Sequence, residues 1–316
     1  MVKLPTRKIG NTEVSAIGYG AMGISAFYGS AEPDEARLKF LDGCYERGCT
    51  NWDTADCYDD SEDLIGKWFK RSGKRDEIFL ATKVGFVFGD KMIDGSPEYI
   101  KSAVEKSLKR LGTNYIDLLH LHRAGKVKYL GLSEASASTL RRAHAVHPIS
   151  ALEIEYSPFT LDIEDPKIGL LKTARELGVA VIAYSPLGRG LLTGRFKGPE
   201  DFPEGDSRPS MPRFSKENFP NVLKLVDDLE KIGKKHGATA GQVTLAWVLA
   251  QGDDIIPIPG TRKLERLDEN LGALNLKLST EELDAVRKAA DKSNIASVAR
   301  YASGWDLTLF VDTPPL

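Results

Sequence analysis

Cysteine is scarce in this chain. The three residues, Cys44, Cys49 and Cys57, are an odd number crowded into one short stretch of 316 residues. They show no zinc spacing and no disulfide framework, and they read as reduced thiols of a cytosolic protein. An excess of one charge is missing too. Charged residues make up 28 % of the chain, yet the formal net charge is only −2, which argues against a nucleic-acid surface or an acidic tail. No apolar stretch approaches the length of a bilayer. The start, Met1-Val2-Lys3-Leu4-Pro5, lacks the apolar core of a signal peptide. The expected location is therefore the cytoplasm, with neither a membrane nor a nucleic acid as partner. There is no Gly-x-Gly-x-x-Gly after the first strand, so a Rossmann reading is weak. No linker divides the chain, which suggests a single domain over 1–316, and 41 % apolar content supplies a substantial core.

What is present is alternation. A hairpin is expected first, with Thr6–Ile9 and Glu13–Ala16 flanking a Gly10-Asn11 turn. Strand candidates follow at Ile17–Gly20, Asn51–Asp53, Ile78–Lys83, Tyr115–Leu121, Val127–Ser133, Ala151–Tyr156, Val179–Tyr184 and Ile255–Pro257. Helix candidates lie near Asp34–Arg47, Ser61–Lys70, Pro97–Leu111, Ala137–His144, Ile168–Leu177, Asn221–His236, Ala240–Ala250, Leu264–Leu271 and Thr280–Lys288. Strands alternating with helices imply a parallel sheet covered by helices. With eight strands, the α/β class narrows to a (β/α)8 TIM barrel with an N-terminal β-hairpin. Two long segments, Arg195–Pro220 and the tail Asn294–Leu316, read as functional loops.

In such a barrel, chemistry sits at the C-terminal strand ends. Asp53, Lys83 and His122 fall there, and Tyr58 lies in the loop after Asp53. Singly, each has an ordinary reading: a turn cap, a surface lysine, a core histidine, a loop aromatic. Together at successive strand ends they favour a catalytic set. His120 and His122 point to one face of a strand, so a metal site is conceivable. No third ligand with suitable spacing is evident, and the expectation is no metal, with His120 packed in the barrel interior.

The order of motifs resembles the aldo-keto reductase family, in particular its plant and fungal perakine reductase-like and auxin-induced-protein-like branch. Asn-Trp-Asp-Thr-Ala-Asp-Cys-Tyr (51–58) is similar to the signature in which an Asp precedes the catalytic Tyr by five positions. Ala-Thr-Lys (81–83) resembles the strand that supplies the Lys, and Tyr-Ile-Asp-Leu-Leu-His-Leu-His-Arg (115–123) the strand that ends in the catalytic His. The similarity spans about Gly10 to Ala273. It implies NADPH-dependent reduction of aldehydes or ketones, with a small carbonyl compound as partner. Such a reduction needs a hydride at carbon and a proton at oxygen. A tyrosine titrates near ~10 in water, and a neighbouring ammonium lowers that value. Lys83 is expected to do this for Tyr58, with Asp53 holding the Lys and His122 orienting the carbonyl.

The resemblance also assigns cofactor segments. Gly20-Ala21-Met22 is a small-residue turn at the first strand end. Ser133, Glu134 and Glu153 are expected near the carboxamide. Tyr184 resembles the aromatic that stacks on the nicotinamide, and Ser185, Pro186, Leu187, Gly188 and Gly190 would follow the pyrophosphate. Gly260, Thr261, Arg262, Lys263 and Arg266 surround a helix start, where anions are favoured and guanidinium groups suit a phosphate. That set favours NADPH over NADH. Glu269 and Asn270 resemble the pair that contacts adenine. Phe27, Trp52 and Phe86, with the two long loops, are expected to line the substrate pocket. Some members of the family act as cofactor-sensing auxiliary subunits, which is the second reading. Metal-dependent hydrolysis at His120 and His122 is a third.

Two departures stand out. Glu153 replaces the Gln usual in the family, and a carboxylate only accepts hydrogen bonds unless protonated. The larger departure is a connection. Only Arg123-Ala124-Gly125-Lys126 separate the fourth strand from the next, and four residues span roughly 14 Å at most. Returning along a six-residue strand takes about 20 Å, and a parallel crossover needs about a dozen residues. The family has a loop and a whole helix here. Either a segment is missing from the sequence or the protein lacks a helix, and the first is the favoured expectation. Both strands are expected to remain parallel neighbours, with a break near Arg123–Gly125. An intact mass of 34.7 kDa would overturn the missing-segment reading.

Overall fold

The computed structural model describes residues 2–87, 93–120, 127–301, 309–310 and 312–313. An antiparallel hairpin comes first, β1 (Thr6–Ile9) and β2 (Thr12–Ser15), with Thr6 opposite Ser15. Eight parallel strands follow: β3 (Tyr19–Gly20), β4 (Asn51–Asp53), β5 (Phe79–Lys83), β6 (Ile116–His120), β7 (Val127–Ser133), β8 (Ile149–Glu155), β9 (Ala180–Tyr184) and β10 (Ile255–Pro257). Each pairs with its neighbour in chain order, from β3 to β10. Two further backbone hydrogen bonds, Gly18 N to Pro257 O at 2.9 Å and Gly20 N to Pro259 O at 3.4 Å, tie the first strand to the last. The curled sheet thereby closes on itself as a (β/α)8 barrel. Glycine is required at this seam. A Cβ on Gly20 would lie 2.7 Å from the Ile258 carbonyl, and one on Gly260 would lie 2.8 Å from the Gly20 carbonyl.

The helices form where capping chemistry and apolar periodicity agree. Pro97–Leu111 begins with proline in its first turn and ends at Gly112, whose φ of 61° is the left-handed cap that glycine adopts without penalty. In Ala240–Ala250, Thr239 and Gln242 form a capping box that satisfies two otherwise unpaired amides. Inside the barrel, Phe79, Ala81, Leu118, Ala151, Ala180, Ile182, Ile256 and Ile258 pack with Ile9 and Val14 of the hairpin. The hairpin thus plugs the N-terminal end, and the C-terminal end remains for the site.

Strands β6 and β7 are parallel neighbours, with Ile116 opposite Val127 and His120 opposite Gly131, as expected despite the short connection. The expected break near Arg123–Gly125 lies outside the described residues. The Arg195–Pro220 segment contains three short turns, Pro199–Asp201, Arg208–Ser210 and Pro212–Phe214. It packs through buried Phe202 and Phe214, and the Arg208 guanidinium lies over the rings of Tyr28, Phe196 and Phe202 at 4.6 to 4.9 Å.

Candidate active site

Two neighbouring strands deliver the central ion pair. Asp53 ends β4 and Lys83 ends β5. The Lys83 ammonium donates to Asp53 Oδ1 at 2.5 Å and to the Thr54 carbonyl at 2.9 Å. The loop after β4 is zipped to β5 by Asp56 N donating to the Lys83 carbonyl at 3.0 Å, and Tyr58 N donates to the Ala55 carbonyl at 3.2 Å. These bonds hold the Tyr58 ring beside Lys83, with Nζ 5.0 Å from the ring centroid. Phe27 meets the same ring edge-on at 6.3 Å. Arg37, buried under the loop, donates to both carboxylate oxygens of Asp60 at 2.7 Å, fixing the loop from behind.

The electrostatics correct one expectation. Burial pushes the Tyr58 phenol above its ordinary value; Lys83 lowers it, while Glu153 and Asp53 raise it. The lysine acts in the expected direction but is outweighed by burial. Burial opposes the Lys83 charge, yet Asp53 and Glu153 hold its pKa well above the usual value. Asp53 is pushed up to about 6 by burial and by Glu153, against the pull of Lys83.

Glu153, on β8, turns toward this cluster. Its Oε1 lies 3.3 Å from Lys83 Nζ and its Oε2 3.3 Å from His120 Nε2. His120 ends β6 in the barrel interior, as expected, and burial lowers its pKa to about 4, leaving a neutral ring. His122 lies outside the described residues. Trp52 is a second correction. It is fully buried against Trp68 and Phe69 in the outer layer, not in a substrate pocket. Successive strand residues face opposite ways, so Asn51 and Asp53 share one face and Trp52 takes the other. Phe27 is 41 % exposed and Phe86 is half-buried, so these two remain at the mouth.

On the opposite side, the backbone bends. Ser185, Arg189 and Glu134 have φ of 46°, 55° and 51°, and Gly188 and Gly190 have 56° and 96°. Gly188 N donates to the Ser185 carbonyl at 2.9 Å, and Gly190 N to the Leu187 carbonyl at 3.0 Å; Pro186 lies within the first of these turns. Ala21 N donates to the Asp53 carbonyl at 2.7 Å, and Met22 opens the short helix Met22–Ser25. Ser133 ends β7, opposite Glu153. The Glu134 carboxylate accepts from Tyr184 Oη at 2.6 Å and pairs with Arg300 at 3.3 Å. Arg300, 5 % exposed, also reaches Glu155 and Asp162 at 3.7 Å, and Tyr301 Oη lies 3.3 Å from Tyr184 Oη. The tail, expected to be a functional loop, thus contributes Arg300 and Tyr301 beside Tyr184, two residues that no sequence motif named.

The helix Leu264–Gly272 begins after Lys263, and no side chain caps it. Lys263 is exposed, and Arg266 pairs with Glu269 at 3.6 Å. Thr261 Oγ1 accepts from Lys263 N at 3.2 Å. Arg262 is committed elsewhere, donating to the carbonyls of Ser30 and Tyr28 at 2.9 and 3.2 Å. Glu269 accepts from Thr239 at 2.7 Å, and Asn270 is buried.

A closed barrel with titratable residues gathered at its C-terminal strand ends defines an enzyme-type site. Residues 16–124 and 120–291 match the model of the Aldo/keto reductase family, and the chain belongs to that family. The aldo-keto reductase str7 of Strobilurus tenacellus is 54 % identical over 337 residues, covering 99 % of each chain. The aldo-keto reductase yakc [NADP(+)] of Schizosaccharomyces pombe is 47 % identical over 340 residues, covering all of this chain and 99 % of the relative. Both alignments are longer than the 316-residue chain, and the family match divides where β6 gives way to β7. The relatives therefore carry residues that this chain lacks. Among solved structures, the glycerol dehydrogenase of Gluconobacter oxydans superposes with a TM-score of 0.79 at 28 % identity, over 90 % of this chain and 94 % of that one.

Proposed function

We propose that this protein reduces aldehydes or ketones to alcohols with NADPH, Tyr58 donating the proton. The observation that carries this reading is the Asp53–Lys83 contact at 2.5 Å with Tyr58 held above the ammonium. A proton donor must be protonated before it acts, and burial keeps the phenol so. Lys83 stabilises the phenolate left after transfer, and Asp53 fixes Lys83. His122 is assigned the orienting of the carbonyl by its motif, and Phe27 and Phe86 supply an apolar rim for a small carbonyl substrate.

The residues at the mouth fit a phosphorylated dinucleotide. The uncapped helix start at Leu264, with Lys263 and Arg266 beside it, is a donor set for a phosphate. The bent backbone from Ser185 to Gly190 allows close approach of a pyrophosphate. Ser133, Glu134 and Tyr184 border the place assigned to the nicotinamide, and Thr261, Arg262, Glu269 and Asn270 the place assigned to the adenosine end. NADPH supplies the hydride when bound. The name of the fission-yeast relative, which includes NADP(+), supports the same cofactor. The test is NADPH oxidation with a panel of aromatic aldehydes. Turnover is expected; NADPH binding without turnover would favour a cofactor-sensing subunit instead.

A further inference from the structure

Three strands bring acceptor atoms close together inside the barrel mouth. Asp53 on β4, His120 on β6 and Glu153 on β8 are 3 %, 1 % and 2 % exposed. One ligand atom from each lies within 4.8 Å of the others. The Lys83 ammonium faces Asp53 Oδ1 and Glu153 Oε1. The remaining atoms, Asp53 Oδ2, Glu153 Oε2 and His120 Nε2, are buried without a hydrogen-bond partner among the described residues. His120 Nδ1 lies 3.3 Å from the Leu132 carbonyl, which can only accept, so Nδ1 carries the proton and Nε2 presents its lone pair. That lone pair sits 3.3 Å from Glu153 Oε2, acceptor against acceptor when the carboxylate is ionised; burial raises the Glu153 pKa, and a bound cation would favour the ionised form. A buried acceptor left unmet destabilises the fold, and here three lie close together.

We infer that Asp53, His120 and Glu153 form a binding site for one divalent transition-metal ion of the zinc type, held by Oδ2, Nε2 and Oε2 while Lys83 stays on Oδ1 and Oε1. One imidazole with two carboxylates is a donor set that zinc accepts, whereas magnesium and calcium favour oxygen alone. Bonds of about 2.0–2.2 Å bring such atoms to within roughly 3.5 Å of one another, so closure needs movements on the order of 1 Å. Two carboxylates and one ammonium leave the cluster a single negative charge to receive the cation. The Leu132 carbonyl orients the imidazole as the outer partners of metal-bound histidines do. Gly131 leaves room for the ring: a Cβ there would lie 2.6 Å from Nδ1. The site goes beyond the reductase reading and does not depend on it, because it is defined by binding alone.

The test is calorimetric titration of Zn²⁺ into the purified full chain, with Co²⁺ as a spectroscopic probe. One equivalent is expected to bind, with a visible absorption band from protein-ligated Co²⁺. Glu153→Gln and His120→Gln should each weaken Zn²⁺ binding by at least about tenfold, with unchanged circular dichroism. Glu153→Gln keeps the volume and an acceptor for Lys83, so it decides the matter alone if His120→Gln fails to fold. Absence of saturable binding would overturn the inference. So would full affinity in Glu153→Gln, or loss of the site on His236→Ala, whose ring meets Glu282 at 2.9 Å on the surface.

Discussion

On the side of the barrel mouth formed by β4, β5, β6 and β8, Asp53, His120 and Glu153 are buried, and half-buried Lys83 lies between the two carboxylates. The side formed by β9 and β10 has buried charges too, Arg300 with Glu155 and half-buried Glu134, but its distinguishing feature is backbone shape. There the chain bends through left-handed conformations from Ser185 to Gly190 and leaves a helix start without a side-chain cap. The first region fixes charge by side-chain contacts, in a setting where burial moves every pKa. The second prepares close approach to a ligand through backbone shape. The two should therefore fail differently. Damage to the first should stop chemistry while sparing cofactor binding, and damage to the second should do the reverse.

The largest effect is expected from Tyr58→Phe. Removing a general acid costs about 10²–10⁴ in turnover, while NADPH affinity, measured by fluorescence titration, should stay within about twofold because the ring and its edge contact with Phe27 remain. Turnover at the wild-type rate would remove Tyr58 from its role. Next is Trp52→Ala, which tests which layer this residue serves. Deleting a buried tryptophan side chain costs about 3–5 kcal/mol, read as a lowered denaturation midpoint. A full loss of stability with KM unchanged would fit its outward packing; a change of substrate preference without destabilisation would return it to the pocket.

Much of the fold was legible because the local signals agreed. The strand Val127–Ser133 and the helices Pro97–Leu111 and Ala240–Ala250 were read to the residue, and both helices carry their own start or stop signals. The Asp53–Lys83 pairing followed from their places at neighbouring strand ends. The outward turn of Trp52 was also open to reading, since alternation along Asn51–Asp53 puts it opposite Asp53. The convergence of Glu153 and His120 was not. It depends on how β6, β7 and β8 stagger, including a register shift at Leu130 and Gly131, and spacing along the chain carries no trace of that. The docking of Arg300 on Glu134, Glu155 and Asp162 is likewise a long-range fit.

A smaller effect is expected from Gly188→Ala, which probes the backbone-shaped side. At φ of 56° an alanine costs about 1–2 kcal/mol, and its Cβ would meet Phe159 and Leu192 at 3.3 Å. NADPH affinity should fall several-fold while the pH profile of turnover keeps its shape. A changed pH profile with unchanged affinity would show that the two sides are not separable.

The smallest expected effect concerns the support behind Tyr58. Arg37 lowers the pKa of Asp60 to about 2, and Asp60 stands two residues after Tyr58. A carboxylate whose folded pKa lies below its unfolded value contributes stability that is fully present above the unfolded pKa, near 3.8, and is lost as pH falls through the folded one. The Asp60 side chain is 40 % exposed, so water screens the pair and its contribution is modest, under about 1 kcal/mol. Asp34 also contacts Arg37 and remains after substitution. Asp60→Asn should therefore lower stability slightly at pH 7, and the gap between variant and wild type should close as pH falls from about 4 toward 2. Denaturant midpoints of both proteins across that range provide the measurement. A gap that stays constant to pH 2 would mean that Asp60 acts by shape and not by charge, and that the loop carrying Tyr58 does not need this ion pair.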